Sequence, residues 1–289
     1  MSPFRAALLV AAVGPAAFLL AGVEASSSAE GGPSLAEGPQ AADDRGILLD
    51  AQRCFYNANY AEAAAATLEL RSAGRGELGG YELRSSALLF ELRRALAAHP
   101  DKDKGESLKL CESCARLMTD FARETENGQS LARARLSASP QDDAARFLLA
   151  KLDLNYVWLE LGTLGRKKGW DEYWEARRGL DAVLKRDPGN VRARVARAWI
   201  DYIVDTRMPR GTKWVLGGGS RQRALLAVRE AASADADFFV RLEAAFALWE
   251  MEVRERNLPE AVAVARGLAR DVPDNREVAA FLAENEPNP

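Results

Sequence analysis

The stretch YWEARRGLDAVLKRDPGN, Tyr173 to Asn190, decides the fold, because LPEAVAVARGLARDVPDN, Leu258 to Asn275, repeats its design. Each opens on a bulky residue, then glutamate, then a small alanine, Ala176 or Ala261. Apolar residues follow four and seven positions on, Leu180 and Val183 in one and Ala265 and Leu268 in the other, and a proline follows at twelve, Pro188 or Pro273. That spacing lines one face of a helix. The alanine lets a neighbouring helix approach closely, and the proline, which has no N–H to donate, stops the helix. Tyr60-Ala61-Glu62-Ala63 begins the same phrase near the start of the folded chain.

Between these stretches the helical period continues. Ala145, Leu148, Leu149, Leu152, Tyr156 and Leu159 share a face, as do Val191, Val195, Ala198, Trp199, Tyr202 and Ile203, and again Phe239, Leu242, Phe246, Trp249 and Val253. No segment from Gly46 onward alternates as a strand would. Turn signals at Gly74–Gly80, His99–Gly105, Ser137–Gln141, Asp187–Asn190, Gly217–Ser220 and Val272–Asn275 divide the chain. They predict an all-α domain over 46–286, with roughly ten or eleven helices paired as hairpins.

Joined to Trp158-x-x-Leu161-Gly162, these phrases resemble the tetratricopeptide (TPR) repeat, whose first helix carries W-x-x-L-G and whose second carries the small residue and the closing proline. The resemblance implies a TPR-like helical-hairpin array, an α-solenoid, with divergent repeats. Gly165 stands where the family has tyrosine, and Trp158 to Ala176 is 18 residues where the family has 16. The matching alanine of the following unit is Ala224, about 14 residues late, so Thr206–Gly219 reads as an insertion, which repeat arrays tend to place on a binding face. The proline, then Gly217-Gly218-Gly219, then a helix with Ala224 and two closing hairpins also resemble the TatT family, TPR-like periplasmic accessory proteins of tripartite ATP-independent periplasmic transporters. That likeness implies oligomers that dock a solute-binding protein.

Charge and tryptophan concentrate in this region. All six tryptophans lie between 158 and 249, and residues 158–223 carry a net +7 while the remainder carries −10. Arginine and tryptophan anchor interfaces. Arg194, Arg197, Arg210, Lys213 and Trp214 are therefore the candidate partner- or ligand-binding residues, with Trp170 and Trp174 serving either packing or binding. A basic, Trp-containing groove over 192–221 suits a protein partner with an acidic tail or, alternatively, a small acidic solute. Trp158, Trp199 and Trp249 fall on the apolar stripes and read as core. Arg197 with Asp201 is also an ordinary i,i+4 pair.

The N-terminus reads as an address. One arginine, Arg5, precedes an uncharged run from Ala6 to Val23, and Val23-Glu24-Ala25 offers a cleavage site after Ala25. This is the layout of a secretory signal peptide over 1–25, giving a periplasmic or secreted protein, with membrane contact only if the segment is retained. Residues 26–45, rich in Ser, Gly, Pro and acid, read as a disordered linker.

Catalytic readings are few. A chain of 289 residues with a single histidine, His99, has no two-histidine metal chemistry, and a net charge of −3 with an export signal argues against nucleic acid. Cys111-x-x-Cys114, on a predicted helix Ser107–Glu124, allows a bridge between the two, a bridge from one of them to Cys54, or simple core burial. No cofactor, metal site or catalytic constellation is expected, and a binding protein is the reading.

Overall fold

The computed structural model describes residues 39–72, 78–99, 104–208, 211 and 213–286. Among them are twelve α-helices and one turn of π-helix, and no strand. The helices are α1 (Pro39–Tyr56), α2 (Tyr60–Ser72), α3 (Leu78–Ala97), α4 (Lys104–Leu110), α5 (Cys114–Ala138), α6 (Asp143–Val157), α7 (Trp170–Arg186), α8 (Val191–Arg207), α9 (Arg221–Ala232), α10 (Phe238–Arg254), α11 (Leu258–Asp271) and α12 (Arg276–Asn285). The π-helix, Trp158–Thr163, continues α6. The signal-peptide reading and residues 26–38 of the linker lie outside the described residues, while α1 begins at Pro39, inside the stretch read as linker. None of these helices is long and apolar enough to cross a membrane.

The repeated phrase does what its chemistry requires. Ala63, Ala176 and Ala261 are fully buried and Ala224 nearly so, as are Leu180, Val183, Ala265 and Leu268. Each proline turn ends on an asparagine that caps the next helix. Asn190 accepts the Ala193 N–H at 3.0 Å, and Asn275 accepts those of Glu277 and Val278 at 2.9 Å. Asp142 and Ser220 cap α6 and α9 in the same way. Such a cap contributes about 1 kcal/mol, so each turn both ends one helix and starts the next.

Two local expectations are corrected. Gly79 and Gly80 lie in the first turn of α3 and not in a loop, because a side chain at Gly80 would come within 3.2 Å of Leu70 across the α2–α3 contact. The predicted helix Ser107–Glu124 is two helices, and Cys111-x-x-Cys114 is the joint between them, closed by a Cys111–Cys114 disulfide. Both cysteines are also buried, and Cys54 is free.

Most successive helices pack on one another, and side chains of α1–α3 also meet those of α10–α12. One core cluster holds residues from α1–α5 together with residues from α10–α12. Tyr56 at the end of α1 stacks on Phe239 and Phe246 of α10, with ring centres 5.8 and 5.6 Å apart. Asn275 donates to the Tyr56 carbonyl at 2.6 Å, and Glu277 accepts from Tyr60 at 3.1 Å and from Arg94 at 3.2 Å. A buried charge cluster adds to this closure: Lys151 of α6 donates to Glu243 of α10 at 3.2 Å, near Glu82 of α3 and Arg192 of α8. The inner face that an open solenoid would leave free is thus filled over much of its length by the chain's own side chains.

Candidate functional site

At one end of this closed array the filling stops, leaving a cavity of ≈ 500 Å³. Its wall takes Arg93 from α3, Leu154 and Val157 from α6, and Trp158, Leu161, Gly162 and Thr163 from the π-helix. Trp170 and Tyr173 come from α7, a run from Trp199 to Met208 from α8, Leu216 from the following loop, and Arg254 from α10. Four of these helices contribute their C-terminal halves.

The π-helix shapes one wall. Leu164 donates to the Leu159 carbonyl at 2.9 Å, a five-residue step, and the Thr163 hydroxyl bonds the Trp158 carbonyl at 3.1 Å. A π turn takes one residue more than an α turn, so it absorbs part of the two-residue excess between Trp158 and Ala176. The chain then reverses into α7 at Gly169, whose φ of +92° belongs to the left-handed region that glycine tolerates. The effect is to bring Trp158, Leu161 and Gly162, the repeat-signature residues, onto the cavity wall. Trp158 meets Trp199 edge-on at 6.5 Å, and Trp170 meets Tyr173 edge-on at 6.2 Å.

The opposite wall depends on the glycine run. The Tyr173 hydroxyl donates to the Leu216 carbonyl at 2.9 Å and Arg177 donates to the Gly217 carbonyl at 2.9 Å, which holds Leu216 against the cavity. A Cβ at Gly219 would lie 2.4 Å from the Asp201 carbonyl oxygen, so only glycine lets the loop lie this close to α8.

The electrostatics are one-sided. Three arginines and no carboxylate line the cavity. Arg254 is spoken for: Glu250 accepts from its Nε at 2.8 Å, and its guanidinium sits 5.7 Å from the Trp199 ring. Arg207 is exposed at the rim. Arg93 is partly buried and rests 5.5 Å from the Phe90 ring, and among the described residues it makes no hydrogen bond or ion pair. Burial pulls the Arg93 guanidinium below the usual arginine range, with Glu250 opposing and Arg254 reinforcing the shift.

The residues singled out in the sequence are divided by the fold. Trp170 lines the cavity. Trp174 packs edge-on against Tyr173 at 5.1 Å and does not. Trp214 is 78% exposed beside Val215 at the tip of the insertion, clear of the cavity. Arg194 pairs with Glu230 of α9, Arg197 with Asp181 of α7 at 2.7 Å and Asp201 at 2.6 Å, and Lys213 with Asp205. These cations join α8 to its neighbours and do not face an open groove. Arg210 lies outside the described residues. Trp199 and Trp249 are buried as read, while Trp158 is only half-buried because the cavity opens beside it. Arg207 falls inside the insertion read as a binding face, whereas nothing in the local spacing of Arg93 and Arg254 distinguishes them from surface arginines.

Two carboxyls are pushed up to about 8, chiefly by burial: Asp153 and Glu243, which lie between packed helices and do not line the cavity. No group of His, Cys, Asp and Glu among the described residues could hold a metal ion. No protein-family model, curated protein or solved structure matches the chain.

Proposed function

We propose that this chain is an exported, TPR-like binding protein that holds a small organic anion in its end cavity, acting as an accessory subunit beside a transport partner. The observation that carries the reading is the cavity itself: aromatic and apolar walls, no lining carboxylate, and one arginine, Arg93, that makes no hydrogen bond or ion pair among the described residues. Its volume of ≈ 500 Å³ lies within the range of small-molecule sites. Arg93 is partly buried, and an incoming carboxylate gives its guanidinium strong, directional hydrogen bonds. Export rests on the N-terminal apolar run alone. Thermal unfolding of the mature chain against a panel of small organic acids tests the reading. A saturable rise in melting temperature with at least one acid is expected, and a flat response across the panel defeats it.

A second reading, docking of a protein partner, draws on Trp214, exposed at 78% with Val215 at 52% beside it. Aromatic residues at a loop tip are characteristic interface anchors. Trp214→Ala should abolish recovery of that partner from an envelope extract without altering acid binding, and unchanged recovery removes the loop from consideration.

A further inference from the structure

Resting on the cavity reading, one step further concerns which anion fits. We infer that the cavity selects an aromatic monocarboxylate, seated with its carboxylate on Arg93 and its ring among Trp158, Trp170 and Trp199.

The number of charges follows from pairing. Of the three arginines on the wall, Arg254 is already held by Glu250, and Arg207 stands at the exposed rim where water screens it. Inside, Arg93 alone makes no hydrogen bond or ion pair among the described residues, with Glu250 and Glu277 acting on it only from beyond bonding distance. One carboxylate supplies a direct partner. A second carboxylate on the same small molecule would have to leave Arg93 for a wall dominated by Leu154, Ile200, Val204 and Leu216, where desolvation costs it.

The body of the ligand follows from the walls. Three indoles and the Tyr173 phenol stand around the space, and the pairs among them already meet edge to face, at 80° for Trp158–Trp199 and 74° for Trp170–Tyr173. An added ring can continue that pattern, which favours aromatic over aliphatic bodies of equal size by roughly two- to tenfold. Arg93 has a bland alternative, a cation complementing the carbonyl end of α3. That position is already served by Arg94 in the last turn, which pairs with Glu277 and Glu91. Arg93 faces the cavity and lacks such partners.

Calorimetric titration of the mature full-length protein tests this with four probes: 3-phenylpropanoate, its amide, 3-cyclohexylpropanoate and phthalate. The aromatic monocarboxylate should bind most tightly, with the amide and phthalate weaker by about 10- to 100-fold, the range expected for a lost charged hydrogen bond. Arg93→Gln should cost 3-phenylpropanoate a similar factor, leave the amide's affinity unchanged, and leave the melting temperature of the unliganded protein unchanged or higher. Arg207→Gln should change affinity by no more than about threefold. Equal binding of phthalate or the amide, equal binding of 3-cyclohexylpropanoate, or an Arg93→Gln protein that keeps its selectivity for the carboxylate overturns the ligand class while the cavity reading survives. A fall in the melting temperature of Arg93→Gln with unaltered 3-phenylpropanoate binding makes Arg93 structural and also overturns it. Silence from all four probes overturns this class, and silence from the wider acid panel overturns the cavity reading with it.

Discussion

Two arginine-rich regions of the folded molecule differ in what their charges meet. Around α7, α8 and α9, Arg177 reaches Asp201, Arg186 reaches Asp143, Arg194 reaches Glu230, Arg197 reaches Asp181 and Asp201, and Lys213 reaches Asp205. At the cavity, three arginines share the wall with no lining carboxylate, and Arg93 makes no ion pair among the described residues. The first region is stitched; the second is left open at one point. Positive charge density in the sequence marks where helices are tied together, because a cation in a helical array finds carboxylates on the neighbouring rods. A binding charge is one left without such a neighbour, and that is a property of the packing.

Charge deletions can break or sharpen this contrast. The largest effect is expected at the buried cluster. Lys151→Met takes away the ammonium that donates to Glu243 between packed helices, and should cost about 1–3 kcal/mol in urea unfolding. Lys151→Met with Glu243→Met, which removes both members of the bond, should recover most of that loss. A single-variant cost below about 1 kcal/mol would show that this cluster does not help to hold the array closed.

A smaller effect belongs to Asp153, whose carboxyl accepts from Gln129 at 2.7 Å and is pushed up to about 8, first by burial and then by nearby Glu175. In the folded chain this acid keeps its proton to about pH 8, whereas in the unfolded chain it loses it near pH 4. The stability it contributes is fully present below the unfolded value and drains away as pH rises towards about 8. The melting temperature should therefore fall between pH 5 and pH 8, and Asp153→Asn should flatten the slope. Glu243 shifts in the same direction, so some slope remains. A slope unaffected by Asp153→Asn would refute the assignment.

The smallest effect is expected on the stitched face. Arg194→Gln removes a half-exposed pair with Glu230 and should change stability by no more than about 1 kcal/mol. It should leave acid binding untouched. A loss of binding would return the site to the α8 face.

Much of the architecture was legible along the chain. The alanine at the close contact, the apolar residues four and seven later and the proline–asparagine turn are local rules: the alanines and apolar residues are buried, the asparagines cap the next helix, and the exposed prolines follow the helix ends. The glycine run was legible as an insertion, but not why it needs glycine: the answer is the Asp201 carbonyl of α8, met only on folding. The site was legible only in part. Trp170 was marked among the residues held between packing and binding; Trp158 and Trp199 were read as core stripe; Arg93 and Arg254, 161 positions apart, carried no signal.

By itself the sequence determined that the described chain is helical and where the proline–asparagine turns separate helices, since those depend on residues within one or two turns of each other; the break at Cys111–Cys114 and the π turn after α6 came only with the structure. Whether the array would stay open or come round on itself was decided by Tyr56, Tyr60 and Arg94 meeting Phe239, Phe246 and Glu277, partners far apart in the chain. Those contacts fill the inner face around α1–α3 and α10–α12, and the cavity beside Trp158 and Trp170 remains. The physical reason is that pairing and burial are relations between distant side chains, and no local pattern encodes which charge will be left without a neighbour.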